Sequence, residues 1–241
     1  PLLVALSLVV LLFAYDGRIG RLDGLLLTTG LISYTVWGIV KSRNYPDLFW
    51  IHNDSGDEPR IYPVDRRGRT YANARYPTEQ GVLIGGAMNV DWEDITVDSD
   101  GHVIVADVGN NGNDRRDLVL YYVSEPAPTA GRTTFLKKVF LAYPEQNRFP
   151  AGPDEFNFDC EAVFTVGTSV FFLSKNRSNN YTSLYRLDDA DPGVSNLLTL
   201  VDTFDVQGQA VGADCTADGK RLLIFGDRHE RTVFGFVEAH L

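Results

Sequence analysis

Two segments of this chain repeat one another, and that repetition limits the folds open to it. Asp91-Trp92-Glu93-Asp94-Ile95 leads into the apolar run Val103-Ile104-Val105-Ala106, and Asp159-Cys160-Glu161-Ala162-Val163 leads into Val170-Phe171-Phe172-Leu173. A shift of 68 residues lays Glu93 on Glu161, Asp107 on Lys175 and Asn111 on Asn179. Both units close on an Asn pair, Asn110-Asn111 and Asn179-Asn180. Gly212-Ala213-Asp214-Cys215, followed by Asp218-Gly219 and Leu222-Leu223-Ile224-Phe225, forms a looser third copy. Self-similarity at such spacings is the mark of stacked supersecondary units, which bury their faces only against their neighbours.

After Pro46 the chain consists of short β-type runs separated by turn residues. Leu48-Phe49-Trp50-Ile51 and Arg60-Ile61-Tyr62-Pro63-Val64 flank the turn-rich 53–57, and similar pairs recur three more times. No stretch there keeps a helical period. The expected fold is mainly β, a partial β-propeller of about four blade-like repeats over 47–241. A ring of ~4–8 blades is usual, so the domain is expected to be cut short at Leu241. A β-sandwich is the competing architecture.

The N-terminus differs in kind. Pro1 to Ala14 is apolar apart from Ser7, and a second apolar run extends from Gly24 to Val40, with Asp16 to Asp23 between them. A membrane-spanning helix needs about 17–25 apolar residues, so residues 1–43 are expected to form a helical transmembrane hairpin. Tyr34, Trp37, Lys41 and Arg43 supply interfacial anchors. A buried soluble hairpin is the alternative. The short loop with Arg18 and Arg21 is expected on the cytoplasmic side, which places the β domain outside the cytoplasm. Residues 1–45 carry a net charge of +2, four cations against two carboxylates, which leaves −12 of the total −10 on the rest. A module that acidic repels phosphate backbones, so nucleic acid is excluded as a partner.

Asp16-Gly17-Arg18-Ile19-Gly20-Arg21-Leu22-Asp23-Gly24, with Tyr34-Thr35 beyond, resembles one helix–loop–helix of the bacterial sodium/calcium exchanger superfamily. The resemblance covers 1–43 and lacks the family's ion-binding repeats, so it implies an anchor, or a fragment associated with an exchanger, rather than transport. Residues 52–69, 91–111, 159–163 and 211–224 together resemble poorly characterised bacterial propeller proteins of the six-bladed type. That likeness implies the fold and an extracytoplasmic setting. It implies no reaction.

If the Asp-x-Glu segments enter the innermost strands, Glu93 and Glu161 face one shared axis. Asn53, Asp54, Asp107, Asn110 and Asp214 are the further candidate metal ligands, with Asp91 and Asp159 close by. Mixed carboxylate and amide oxygens suit calcium, which takes 6–8 oxygen ligands; scattered His and unpaired Cys do not suit structural zinc. Asp and Asn at blade turns also cap their own backbones. Lys175 is positioned for a carboxylate–ammonium pair, and Cys160 with Cys215 for a disulfide between neighbouring blades. The leading expectation is therefore a membrane-anchored, extracytoplasmic binding module for a small ligand or a protein, stabilised by calcium. A metal-dependent hydrolase of ester, lactone or phosphoester bonds is the alternative, the carboxylates holding the ion that activates water.

Overall fold

In the computed structural model the described residues are 38–238 other than Tyr76, Asp189, His229 and Glu230, with the backbone alone described from Asp227 onward. They form sixteen strands and one 3-10 turn, Pro153–Glu155, in four successive antiparallel meanders. The first comprises β1 (Gly38–Lys41), β2 (Leu48–His52), β3 (Arg60–Asp65) and β4 (Val82–Gly85). The second comprises β5 (Trp92–Val97), β6 (His102–Asp107), β7 (Val119–Ser124) and β8 (Arg132–Ala142). In the third, β9 (Cys160–Val166), β10 (Ser169–Ser174) and β11 (Tyr181–Leu187) are followed by the short β12 (Ser195–Leu197) and by β13 (Thr199–Asp205), which pairs with β11. The fourth has β14 (Gln209–Cys215), β15 (Arg221–Arg228) and β16 (Arg231–Glu238).

The opening strands of the meanders stand side by side: β5 packs against β1 and β9, and β9 packs against β14. That is the arrangement of propeller blades, each laying its innermost strand beside the next. At the outer edge β8 pairs in parallel with β4 and with β12, which joins the first two meanders into one nine-stranded sheet.

Three apolar layers fill the gaps between blades. Trp50, Ile61, Ile84, Ile95, Val105 and Tyr121 lie between the first and second sheets. Ile104, Leu120, Leu141, Val163, Phe172 and Tyr185 lie between the second and third. Phe164, Phe171, Leu173, Leu222 and Ile224 lie between the third and fourth. This explains why β6 and β10 are apolar without alternation. Val105 and Ile104 point into different layers, as do Phe171 and Phe172, so both faces of each sheet are covered.

The boundary at the N-terminal side shifts. Gly38–Lys41, assigned above to the hairpin of 1–43, form β1 and pair with His52 to Phe49 of β2. Val40 packs against the first apolar layer. A Gly-Ile-Val sequence carries the hydropathy of a membrane segment and of a buried strand alike, so hydropathy alone placed the boundary too late. The rest of the expected hairpin, 1–37, lies outside the described residues. No helix among the described residues is long and apolar enough to cross a membrane.

Candidate functional site

The inner strands share one irregularity. On β5, Trp92 pairs with Asp107 and Asp94 with Ala106, which leaves Glu93 as an extra residue. On β9, Cys160 pairs with Ser174 and Ala162 with Leu173, which leaves Glu161 extra. On β14, Ala210 and Gly212 bracket Val211 in the same way. A β-bulge bends its strand and re-aims one side chain out of the regular alternation. Here it occurs at one equivalent place in three blades, and in two of them the re-aimed side chain is Glu.

The result is a convergence. One carboxylate oxygen from each of Glu93, Asp159 and Glu161 lies within 4.8 Å of the others, and all three residues are buried. Asp159 is held on both sides: Oδ1 accepts the Asn110 amide N–H at 2.7 Å, and Oδ2 accepts Arg177 Nε at 3.1 Å and Nη2 at 2.6 Å. Glu161 Oε1 accepts Lys175 Nζ at 2.8 Å, with Arg177 Nη2 at 3.7 Å. Arg177 also donates to Asn111 Oδ1, and Asn111 Nδ2 donates to Asp91 Oδ2 at 3.3 Å. Glu93 has no hydrogen-bond or ion-pair partner among the described residues. Its Oε1 and Asp91 Oδ2 lie so close to Gly109 that a Cβ there would sit 2.4 Å from each.

Burial pushes the Glu93 carboxyl far above the usual carboxylate range, and the charges of Glu161, Asp91 and Asp159 push it further. Burial also raises Glu161, while the Lys175 ammonium pulls it back. Glu93 therefore holds its proton to higher pH than a free carboxyl group does. Asp94, the next residue, bridges blades: its Oδ2 accepts the Val163 amide N–H at 2.7 Å, and burial raises its carboxyl to about 8.

The expected site residues thus divide. Glu93 and Glu161 meet, with Asp159 and Asp91. Asp107 serves the strand entry instead, accepting the Asp91 and Val90 amide N–H groups and Arg115 Nη1 at 2.9 Å. Asn110 brackets a loop, its Oδ1 accepting the N–H groups of Asp114 and Arg115. Asp54 Oδ1 accepts the Ser55 N–H and Asn53 Nδ2 donates to Asp57, both within the β2–β3 loop, and the Asp54 charge acts on Glu93 and Asp91 of the cluster. Asp214 Oδ1 accepts the N–H of Cys215 on β14, and Val211, not Asp214, occupies the place of Glu93 and Glu161. Lys175 pairs with Glu161, but its counterpart is not Asp107. The β9–β10 hairpin is one residue shorter than β5–β6, so Ser174 takes the place of Asp107. Cys160 and Cys215 are free thiols, packed in different apolar layers, and the expected disulfide is not formed. A second acidic group, Asp98, Asp100 and His102, caps its own turn: Asp98 Oδ1 accepts the His102 N–H and Oδ2 faces its Nδ1 at 2.9 Å.

Arg177 and Gly109 were not anticipated. Lys175 and Arg177 both follow the end of β10 at Ser174, and both reach Glu161. Nothing in sequence marks Gly109 as the floor beneath two carboxyl groups.

No family model matches the chain, and no curated protein matches it. Among solved structures, it is similar to Kuenenia stuttgartiensis hydrazine synthase, at 16% identity and TM-score 0.46 over 85% of this chain and 46% of that one. It is similar to the β-propeller domain of Myceliophteria thermophila Cps50 (Swd1), at 11% identity and TM-score 0.40 over 84% and 54%. It is also similar to Chaetomium thermophilum Sqt1 bound to the N-terminus of ribosomal protein L10, at 13% and 0.41 over 86% and 46%. The chain spans about half the length of each of these three structures.

Proposed function

We propose that this chain is a propeller-type binding module whose site is the carboxylate cluster at the inner edge of its second and third blades, and that calcium is the cation it takes. One observation carries the proposal: equivalent bulges on β5 and β9 turn Glu93 and Glu161 onto Asp159, their oxygens within 4.8 Å. Calcium–oxygen distances of about 2.3–2.6 Å place neighbouring ligand oxygens at about that spacing or less. Glu93, which has no hydrogen-bond or ion-pair partner among the described residues, contributes the free carboxyl group. Asp91 stands beside it, and the amide oxygen of Asn111 is within reach of the same edge. Binding displaces the proton of Glu93 and loosens the Lys175 contact to Glu161, so affinity rises with pH.

Titration of the full chain with calcium tests this by thermal melting. At a hundredfold excess over the dissociation constant the stabilisation is about 2.7 kcal/mol, a rise of roughly 5–10 °C for a domain this size. The rise should vanish in a Glu93→Gln, Glu161→Gln double variant. An unchanged melting temperature at millimolar calcium would remove the proposal. The apolar residues within 1–37 are proposed to fix the module to a membrane, with the β domain outside the cytoplasm. Recovery of the full chain in a high-salt supernatant rather than in membranes would count against that setting.

A further inference from the structure

Away from the carboxylate cluster, one cavity is lined by two arginines and by no carboxylate. It measures about 170 Å³ and lies where the segment before β7 meets the segment after β8. Leu118, Leu141 and Phe149 supply an apolar wall; Arg115, Arg116 and Ser195 supply a polar one, and no Asp or Glu lines it. Arg115 is balanced by Asp107 and Asp117 behind the lining, which leaves Arg116 as the cavity's cation without an ion pair among the described residues.

Arg115 is fixed in advance. Its backbone N–H donates to Asn110 Oδ1 at 2.9 Å, its Nη1 to the Gly109 carbonyl at 2.7 Å and to Asp107 at 2.9 Å, and its Nε to Asp117 at 3.0 Å. Its Nη2 is enclosed and has no hydrogen-bond partner among the described residues, so Arg115 backs the cavity while Arg116 offers the open N–H edge. Arg116 lies flat on Phe149, its guanidinium carbon 3.7 Å from the ring centroid. Stacking occupies the face of the group and leaves its N–H edge open, and Arg116 forms no ion pair among the described residues.

We infer that this cavity binds a small organic monocarboxylate with a short apolar tail. A carboxylate matches the planar N–H fork of a guanidinium in paired hydrogen bonds, and the tail covers the wall of Leu118, Leu141 and Phe149. Inorganic phosphate would meet the arginines and leave that wall bare. The volume is below the about 300–1,000 Å³ of sites for larger ligands, which limits the guest to a few non-hydrogen atoms.

Butyrate titrated into the full chain in the presence of EDTA, followed by ligand-observed NMR, tests the inference independently of the calcium proposal. The expected dissociation constant is about 1 mM, within what six non-hydrogen atoms can supply. Phosphate should bind at least about tenfold more weakly, and butylamine not at all, because its charge has the wrong sign. Arg116→Gln, at an exposed position, should weaken butyrate about tenfold or more. Ala142→Phe should abolish binding by filling the cavity while both arginines remain. Butyrate affinity unchanged in Arg116→Gln, phosphate bound as tightly as butyrate, or no saturation of the wild type below about 20 mM would each overturn it.

Discussion

Glu93 keeps its carboxyl where an ionised group would have to face Glu161, Asp91 and Asp159 at close range. The fold therefore holds its proton more tightly than the unfolded chain does. A group whose pKa is raised on folding contributes stability that is complete below its unfolded value and is lost as pH rises through the folded one. In EDTA, the wild type should thus lose stability steadily from about pH 6 to about pH 9, and Glu93→Gln should lose less. Asp94, raised to about 8, leaves a residual slope of the same sign in both proteins. Parallel slopes in urea denaturation would show that Glu93 does not carry the proton. Gly109 is the matching constraint on the backbone side. Gly109→Ala forces a methyl to within 2.4 Å of two carboxyl oxygens, so a loss of about 1–3 kcal/mol is expected, measurable by the same denaturation. The repeated Glu was legible because it recurs in one local pattern. Gly109 was not, because its role depends on which side chains lie over it.

At the scale of the strand, apolar pattern was the most informative signal. The runs in β6 and β10 show no period-2 alternation because neighbouring blades cover both faces, and this marks them as buried strands from composition alone. Phe171 and Phe172, adjacent in sequence, belong to separate layers. Each changed to Ala should cost about 3–5 kcal/mol, and because the two sites share no layer, the double variant should cost close to their sum. The same change at Leu136, 60% exposed, should cost little. Register was less legible. An ungapped shift of the repeat carries Asp107 onto Lys175 because the sequence does not reveal that one hairpin is a residue shorter. In the fourth blade, matching the Asp-Cys pairs draws attention to Asp214, while the ladder puts Val211 at the bulge. A bulge adds a residue without changing composition, so only the pairing exposes it.

At the scale of the molecule, the order of the sheets decides the state of the two cysteines. Cys160 opens β9 but turns its thiol into the layer between the second and third blades, where the Sγ donates to the Ala162 carbonyl at 3.4 Å. Cys215 closes β14 and packs at the edge of the layer between the third and fourth. The third sheet thus stands between the two environments, and a sequence likeness between Asp159-Cys160 and Asp214-Cys215 says nothing of this separation. Burial raises the Cys160 thiol well above its ordinary pKa, and less severe burial, with the Asp214 and Asp218 charges, raises that of Cys215. A thiolate is the reactive form, and only Cys215 is open to solvent in part. Native protein without reductant should therefore release one equivalent of thiol to a disulfide reagent on a slow but measurable scale, and a second only when denaturant opens the blades. Two equivalents at equal rates in the native state would mean that the third sheet does not shield Cys160. No thiol after denaturation would mean that the blades can part far enough for the cysteines to bond.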